Sequence, residues 1–223
     1  MKRVLLFAFV IAACGGSGSG GALDHNRAGS GSSTLLATAT ITVTNSSTSP
    51  TTSLVADLSD GLGAKVSGAT VTITNSGLGG DVALTEGTTG SGHYTASKTS
   101  LPSGDFSFSV VRGTDKVQGV VVGSPGVHAI NAPALNATVT ANQPLDVSWT
   151  TPATSKSATI TTRNYTIIVP DSGAYTIPAV NNPVRTGQRV VITRSNEVEI
   201  AGGLPGSIIK ASVTTTVDPF NVQ

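Results

Sequence analysis

Residues 38–44 read Thr-Ala-Thr-Ile-Thr-Val-Thr, an alternation of hydroxyl and aliphatic side chains with a period of two. Successive side chains of a β-strand point to opposite faces, so this run predicts a strand with one apolar face and one hydroxyl face. Thr, Ile and Val are β-branched and favour extended backbone. Similar runs predict an all-β protein; they occupy residues 54–58, 69–74, 94–97, 106–110, 117–122, 137–140, 145–149, 158–162, 166–169, 174–177, 189–194, 197–200 and 208–217.

Turn-forming residues separate these runs, as in Ser-Asp-Gly at residues 59–61. Short strands with turn signals every ~8–12 residues are typical of a β-sandwich. Gly-Ser-Pro-Gly at residues 123–126 interrupts the pattern, and a second group of runs follows. We therefore predict two β-sandwich domains in tandem, over residues 34–124 and 125–223, with the boundary left open between 123 and 134.

The composition is poor in charge and rich in hydroxyl groups. Charged residues make up 11% of the chain, 26 Ser and 32 Thr supply about a quarter of it, and the formal net charge is +1. Nucleic-acid binding depends on basic patches that neutralise phosphates, so this balance predicts no nucleic-acid partner. The single cysteine excludes an intrachain disulfide and a zinc site built from cysteines. We expect no cofactor and no bound metal.

The amino-terminal segment has the organisation of an export signal. Lys2 and Arg3 precede a run of apolar residues, 4–13. A helix of this length spans ~15 Å, about half the hydrocarbon core of a bilayer, so the run is too short for a transmembrane helix and fits a secretory signal. It leads into Ile11-Ala12-Ala13-Cys14, which resembles the lipobox of bacterial lipoproteins.

This resemblance implies that residues 1–13 are a signal peptide and that Cys14 is lipidated. In that family the thiol is joined to diacylglycerol, the peptide is cut before the cysteine, and the new amino terminus is acylated (palmitate is the usual label). The three acyl chains of such a lipoprotein exceed the two membrane signals that are needed for stable anchoring. An ordinary signal peptide that ends near a thiol is the alternative. Gly15, which is not an aspartate, implies sorting to the outer membrane, on either its periplasmic side or the cell surface.

A Gly/Ser-rich stretch follows the cysteine. Residues 14–33 have no hydrophobic period, so we predict a flexible linker between the lipid and the first domain. Residues 15–33 would span roughly 25 Å root-mean-square. Removal of the signal peptide leaves 11 basic and 12 acidic side chains, so the slight basicity of the precursor belongs to the signal peptide.

Three runs resemble immunoglobulin-like families. Residues 55–73 read Val-Ala-Asp-Leu-Ser-Asp-Gly-Leu-Gly-Ala-Lys-Val-Ser-Gly-Ala-Thr-Val-Thr-Ile and resemble bacterial Ig-like repeats, which include the invasin and intimin group and carboxypeptidase-regulatory-like domains. Residues 144–152 resemble the second strand of a fibronectin type III sandwich, which implies that Trp149 anchors a core. Residues 171–177 resemble the Asp-x-Gly-x-Tyr-x-Cys corner of immunoglobulin domains, with isoleucine at the cysteine position. That resemblance implies that the Tyr175 hydroxyl braces the corner by bonding upstream backbone. We expect structural roles for both aromatic residues, with ligand binding as the alternative.

No constellation of catalytic residue types stands out. His25, His93 and His128 are isolated along the chain, and no Gly-x-Ser-x-Gly motif, P-loop or dinucleotide fingerprint is present. Asp57 and Asp60 faintly resemble a calcium loop, but the EF-hand spacing is missing. Turn formation is the preferred interpretation of these acids, and calcium binding stays open. We expect that the protein is not an enzyme.

Basic residues cluster only near the carboxyl terminus. Arg185, Arg189 and Arg194 lie close in sequence, with Glu197 and Glu199 beside them. We predict a solvated strand face whose charges neutralise one another, with contact to an anionic polysaccharide or a lipid headgroup as the alternative.

These features together predict a lipoprotein of the bacterial cell envelope. We expect a non-catalytic structural, adhesion or interaction module that is attached to the membrane by its amino-terminal lipid and meets a protein or glycan partner at the cell surface. A carbohydrate-binding surface protein, or a hydrolase whose site is assembled from scattered residues, remains the alternative.

Overall fold

The computed structural model describes residues 25–46 and 49–223, and Cys14 with the rest of the signal region lies outside the described residues. The described chain contains β-strands and two 3-10 turns, Ser76–Leu78 and Ala179–Asn181, and the prediction of an all-β protein is confirmed. The strands are β1 (Arg27–Gly31), β2 (Leu35–Asn45), β3 (Thr51–Asp60), β4 (Thr70–Asn75), β5 (Gly80–Glu86), β6 (His93–Lys98), β7 (Phe106–Arg112), β8 (Asp115–Val122), β9 (Ile130–Ala132), β10 (Thr138–Val139), β11 (Leu145–Trp149), β12 (Ser157–Thr162), β13 (Thr166–Val169), β14 (Ala174–Ile177), β15 (Arg185–Glu199) and β16 (Ile208–Val222).

The first hydrophobic core lies between two groups of strands. β6, β3 and β2 are neighbours in one group, and β5, β4, β7 and β8 are neighbours in the other. β5 joins the groups, because it pairs first with β4 and then, through Thr85 opposite Thr95, with β6. Ile41, Leu54 and Phe108 are buried together between them. This order corresponds to strands E-B-A against C′-C-F-G, the Greek-key arrangement of an immunoglobulin-like sandwich.

The second hydrophobic core repeats this order. β14, β11 and β9 form a separate three-stranded sheet, whose apolar side chains pack against those of β12, β15 and β16. Trp149 on β11 is 3% exposed and lies in this core with Ile160, Val190 and Phe220. The alternation Leu145, Val147, Trp149 places the aromatic ring on the inward face of its strand.

The C-terminal hairpin of β15 and β16 passes through both cores. Ile192 and Phe220 belong to the second core, whereas Val198 and Ile209 belong to the first. β16 also pairs in parallel with β2 along residues 208–215. One 13-stranded sheet therefore runs through both halves of the molecule, and the division into two tandem domains is not confirmed. Residues beyond the expected boundary complete the first core, because a hairpin this long reaches both.

β1 lies inside the stretch that composition assigned to the linker. It pairs antiparallel with β8, and Ala28 O accepts a hydrogen bond of 3.0 Å from Ala201 N in the turn after β15. The chains approach so closely here that a Cβ atom on Gly202 would lie 2.0 Å from the carbonyl carbon of Ser30. The absence of a side chain on Gly202 allows this close approach. Because residues 27–31 form a paired strand, the predicted linker does not extend through them.

Candidate functional site at the junction of the cores

Polar side chains of β15 occupy the junction between the two cores. Arg194 and Asn196 follow the inward period of the strand, and both are buried, with 0% and 6% of their surface exposed. They face the backbone of residues 123–129, which connect β8 to β9, and the loop of residues 150–156 between β11 and β12. We call these elements the junction site.

All three nitrogens of the Arg194 guanidinium donate hydrogen bonds in this site. Its Nε donates to Asp171 Oδ2 at 2.8 Å, and its Nη2 donates to the same oxygen at 2.5 Å. Nη1 donates to Pro125 O, and Nη2 donates to Ala153 O at 2.5 Å. The Asp171 side chain is 2% exposed, and its Oδ1 accepts a 2.8 Å bond from Trp149 Nε1. A buried charge without a partner is costly, so each member of this pair requires the other.

The burial of Arg194 shows that the prediction of a solvated basic face was wrong at this position. Arg185 is exposed and Arg189 is half-buried, but Arg194 lies on the inward side of the same strand. Backbone carbonyls and Asp171 compensate its charge there. Asp171 belongs to the Asp-Ser-Gly turn before β14, and its role was missed because sequence spacing gives no sign of a partner 23 residues away.

Asn196 binds the segment of residues 123–129 at a second point. Its Nδ2 donates to Gly123 O and to Thr154 O, both at 2.9 Å, and its Oδ1 accepts a 2.8 Å bond from Lys156 N. Further along the connecting segment, His128 O accepts a 2.9 Å bond from the Thr215 hydroxyl of β16. The segment between the cores is therefore bonded to both strands of the shared hairpin.

His128 is a buried titratable group in this segment. It is 1% exposed, and neither ring nitrogen has a hydrogen-bond partner in the described chain. Burial, and secondly the nearby Arg194 charge, lower the pKa of His128 to about 4, whereas the backbone of Ile192 and then the Asp171 charge act in the opposite direction. The imidazole is therefore neutral at physiological pH.

An open cleft of ≈ 660 Å³ adjoins the junction site. His25 Nδ1 lies 2.7 Å from Asp105 Oδ2 in its wall, and Asn26 Oδ1 accepts a 2.9 Å bond from Gly123 N. None of the described residues that line it is Phe, Trp or Tyr. The volume lies within the ~300–1,000 Å³ range of small-molecule sites. His25 and Asn26 are the first residues that the structure describes, and they lie beside the junction site.

Tyr175 lies on β14, half-buried against the second core. Its hydroxyl is 3.3 Å from the Tyr165 hydroxyl, and the described residues offer it no bond to upstream backbone. β14 is the neighbour of β11 and so takes the place of strand E, whereas the corner that residues 171–177 resemble belongs to strand F. Tyr94 on β6 bonds backbone instead: its hydroxyl donates to Val66 O at 3.0 Å.

His93 and Asp57 meet across β6 and β3. His93 Nδ1 lies 2.7 Å from Asp57 Oδ1, and each side chain is 47% exposed. Ser91 lies nearby, but its Oγ accepts a 3.2 Å bond from the backbone N–H of His93 and does not bond the ring. Two of the three groups of a hydrolytic triad are thus in contact on an open sheet face.

Asp60 forms a turn. Its Oδ1 accepts bonds from Leu62 N at 2.8 Å and from Ala64 N at 2.9 Å, which is the backbone-mimicking role of aspartate in a loop. Within residues 25–46 and 49–223, no group of three or more His, Cys, Asp or Glu side chains is placed to hold a metal ion.

Cys14, the expected lipidation residue, lies outside the described residues. Over the part of the chain that the structure describes, no helix has the length and apolar character needed to cross a membrane.

Comparison with known proteins leaves the family open. No family model matches, and no curated protein matches. The fibronectin(III)-like modules of Clostridium thermocellum CbhA are 13% identical over 83% of this chain and 94% of that chain, with a TM-score of 0.29. The adhesin InvE of Yersinia pseudotuberculosis is 18% identical over 87% of this chain and 61% of that chain, with a TM-score of 0.27. At these TM-scores neither similarity carries an argument, and the immunoglobulin-like assignment rests on strand order.

Proposed function

We propose that this chain is a lipid-anchored, non-catalytic module of the bacterial cell envelope that presents a β-sheet surface to a protein or glycan partner. The lipobox-like residues Ile11-Ala12-Ala13-Cys14 support the anchor and an outer-membrane location. The observation that carries the proposal is the junction site, because a buried ion pair and a shared hairpin join two sandwiches into one continuous sheet. Such a body suits presentation of a fixed surface.

The proposed tether would join the folded part of the protein beside the junction site, between the two sandwiches. His25 and Asn26 lie at the junction cleft, so residues 15–24 would connect it to a lipid on Cys14. Ten residues reach at most ~35 Å when extended, and roughly 17 Å root-mean-square as a flexible chain. Attachment at the junction would leave the far ends of both sandwiches free. Attachment at the outer end of one sandwich would instead hold that sandwich nearer the membrane.

The domain division follows from the same geometry. We propose two immunoglobulin-like units that share the β15–β16 hairpin. One unit contains residues 34–124 with the hairpin's turn end. The other contains most of residues 125–223, so the two are not independent tandem domains.

Replacement of Cys14 tests the anchor. Cys14→Ser should move the protein from the membrane fraction to the soluble fraction and abolish labelling by radioactive palmitate. Ser17→Ala, three residues further along, is the matched control and should leave both properties unchanged. Membrane retention of the serine variant with its palmitate label intact would contradict the proposal.

A hydrolase is the second candidate, and the His93–Asp57 contact is the observation that favours it. A functional pair predicts measurable turnover of ester or glycoside substrates by the purified protein. Asp57→Asn would lower that turnover steeply without changing the melting temperature, and the exposed His25, which also contacts an aspartate, supplies the control as His25→Gln. Equal turnover by all three proteins would dismiss the candidate.

A further inference from the structure

The face of the 13-stranded sheet opposite the junction site carries two rows of hydroxyl residues in cross-strand register. The first row runs over β6, β3, β2, β16, β15 and β12 as Ser97, Ser53, Thr42, Ser212, Ser195 and Ser157. The second row runs over β3, β2, β16, β15 and β12 as Thr51, Thr44, Thr214, Thr193 and Thr159. We call these residues the hydroxyl grid.

The grid is regular because the sheet is continuous. Neighbouring strands lie ~4.8 Å apart and alternate residues of one strand ~6.7 Å apart, so the hydroxyl groups repeat in two directions. The long hairpin supplies two adjacent columns, β16 and β15, which lets the rows cross from one sandwich to the other without a break. Except for Ser212, which is 8% exposed, every grid residue is half-buried or exposed.

Contacts between strands order four of the grid hydroxyl groups. Thr193 Oγ1 lies 2.9 Å from Thr214 Oγ1, and Ser157 Oγ lies 3.2 Å from Ser195 Oγ. A hydroxyl has one donor and two acceptor positions, so each member of these pairs keeps capacity for another partner. Groups that are already ordered lose little entropy when a ligand binds them.

The chemistry of the grid selects its partner. Its Ser and Thr side chains are uncharged, and the second row continues on β13 as the exposed Ile168, opposite Thr159. The cores of protein interfaces, in contrast, are enriched in aromatic residues, Met and Arg and depleted in Ser. Phosphate-bearing polymers require basic residues, which the two rows lack. Glu197 opposite Lys210 ends the grid on one side as a neutralising pair. An uncharged polymer that repeats its own hydroxyl groups matches this surface.

We propose that the hydroxyl grid binds a neutral polysaccharide laid across the strands. This inference rests on the proposed function of a surface interaction module and names the chemical class of its partner. The chain would exchange hydrogen bonds with successive columns, so affinity would come from many weak contacts along the polymer and would be low for short oligosaccharides.

Co-sedimentation with insoluble polysaccharides tests the proposal. The full-length protein is titrated with cellulose, insoluble β-1,3-glucan and mannan, and binding to at least one of them is expected. The double variant Thr193→Val/Thr214→Val removes two neighbouring hydroxyl groups of the second row and keeps the β-branched shape. It should bind at least tenfold more weakly, and Thr44→Val/Thr51→Val should behave alike if the first variant fails to fold.

The matched control lies in the other strand group of the first sandwich, which contains β4. Thr70 and Thr72 of β4 are outward-facing hydroxyl residues away from the grid, and their double replacement by Val should leave binding unchanged. Failure of the natural protein to bind any of the three polymers, or equal loss in grid and control variants, would overturn the proposal. Binding to a surface protein through the grid would overturn the polysaccharide and leave the module function standing. The Cys14→Ser fractionation is independent of all these outcomes.

Discussion

Acidification should lower the free energy of unfolding of this protein through the protonation of His128. The ring is buried without partners and has a pKa of about 4, whereas an unfolded chain restores the ordinary histidine pKa of ~6.5. The unfolded state therefore binds more protons between these values, and stability falls as the pH drops through that window. The stabilisation tied to the neutral ring is complete above about pH 6.5 and is lost progressively toward about pH 4.

The size of this effect follows from the pKa difference. Linkage across it gives a loss of about 2 kcal/mol between about pH 7 and pH 5, and about 3 kcal/mol by about pH 4. The groups that face His128 are the Arg194 and Asp171 pair, and the Arg194 charge opposes protonation. Protonated His128 would be a second cation beside the Arg194 guanidinium inside the junction site. We therefore expect the contacts of the junction site to break before the two hydrophobic cores unfold.

Chemical denaturation at about pH 7 and pH 5 measures the loss. His128→Phe should remove about 2 kcal/mol of the pH dependence and, because it buries no unpaired nitrogen, should not be less stable at the lower pH than the natural protein. His128→Leu serves if the larger ring does not fit. His93→Phe, at an exposed histidine, is the control and should keep the part of the pH dependence that belongs to His128. If the His128 variants lose as much stability on acidification as the natural protein, the reasoning is refuted.

Three further changes probe the packing. Trp149→Ala should cost about 3–5 kcal/mol, measured by the denaturation midpoint, because it empties the second core; an unaltered midpoint would contradict the role of Trp149 as a core residue. Arg194→Met should cost about 3–5 kcal/mol by leaving Asp171 charged and buried, and Arg194→Met with Asp171→Asn should recover part of it; equal stability of single and double variants would argue against the ion pair. Gly202→Ala should release β1, seen as faster amide exchange in residues 27–31, and unchanged exchange would show that this turn can shift.

Most of the fold was predictable because alternation reports one inward face. The runs at 145–149, 166–169 and 174–177 match β11, β13 and β14 residue for residue. β5 was missed although Val82 and Leu84 alternate, since its opening Gly-Asp resembles a turn. The runs at 189–194 and 197–200 form one strand, β15, because the polar Asn196 between them is satisfied inside the junction.

What the sequence by itself determined is local. The period of two, the β-branched residues and the turn signals establish strands and their apolar faces, and the first fourteen residues indicate export. Each of these depends on neighbours along the chain, which a sequence displays directly.

Only the tertiary structure decided how the pieces combine. The pairing of Arg194 with Asp171, the burial of His128, the attachment of β1 to β8 and the alignment of hydroxyl rows all join residues distant in sequence. Pairing register and burial depend on which strands become neighbours. The same Ser or Arg is solvated on one face of a strand and buried on the other. Composition alone therefore could not distinguish a basic surface patch from the buried Arg194–Asp171 pair, or a flexible linker from the edge strand β1.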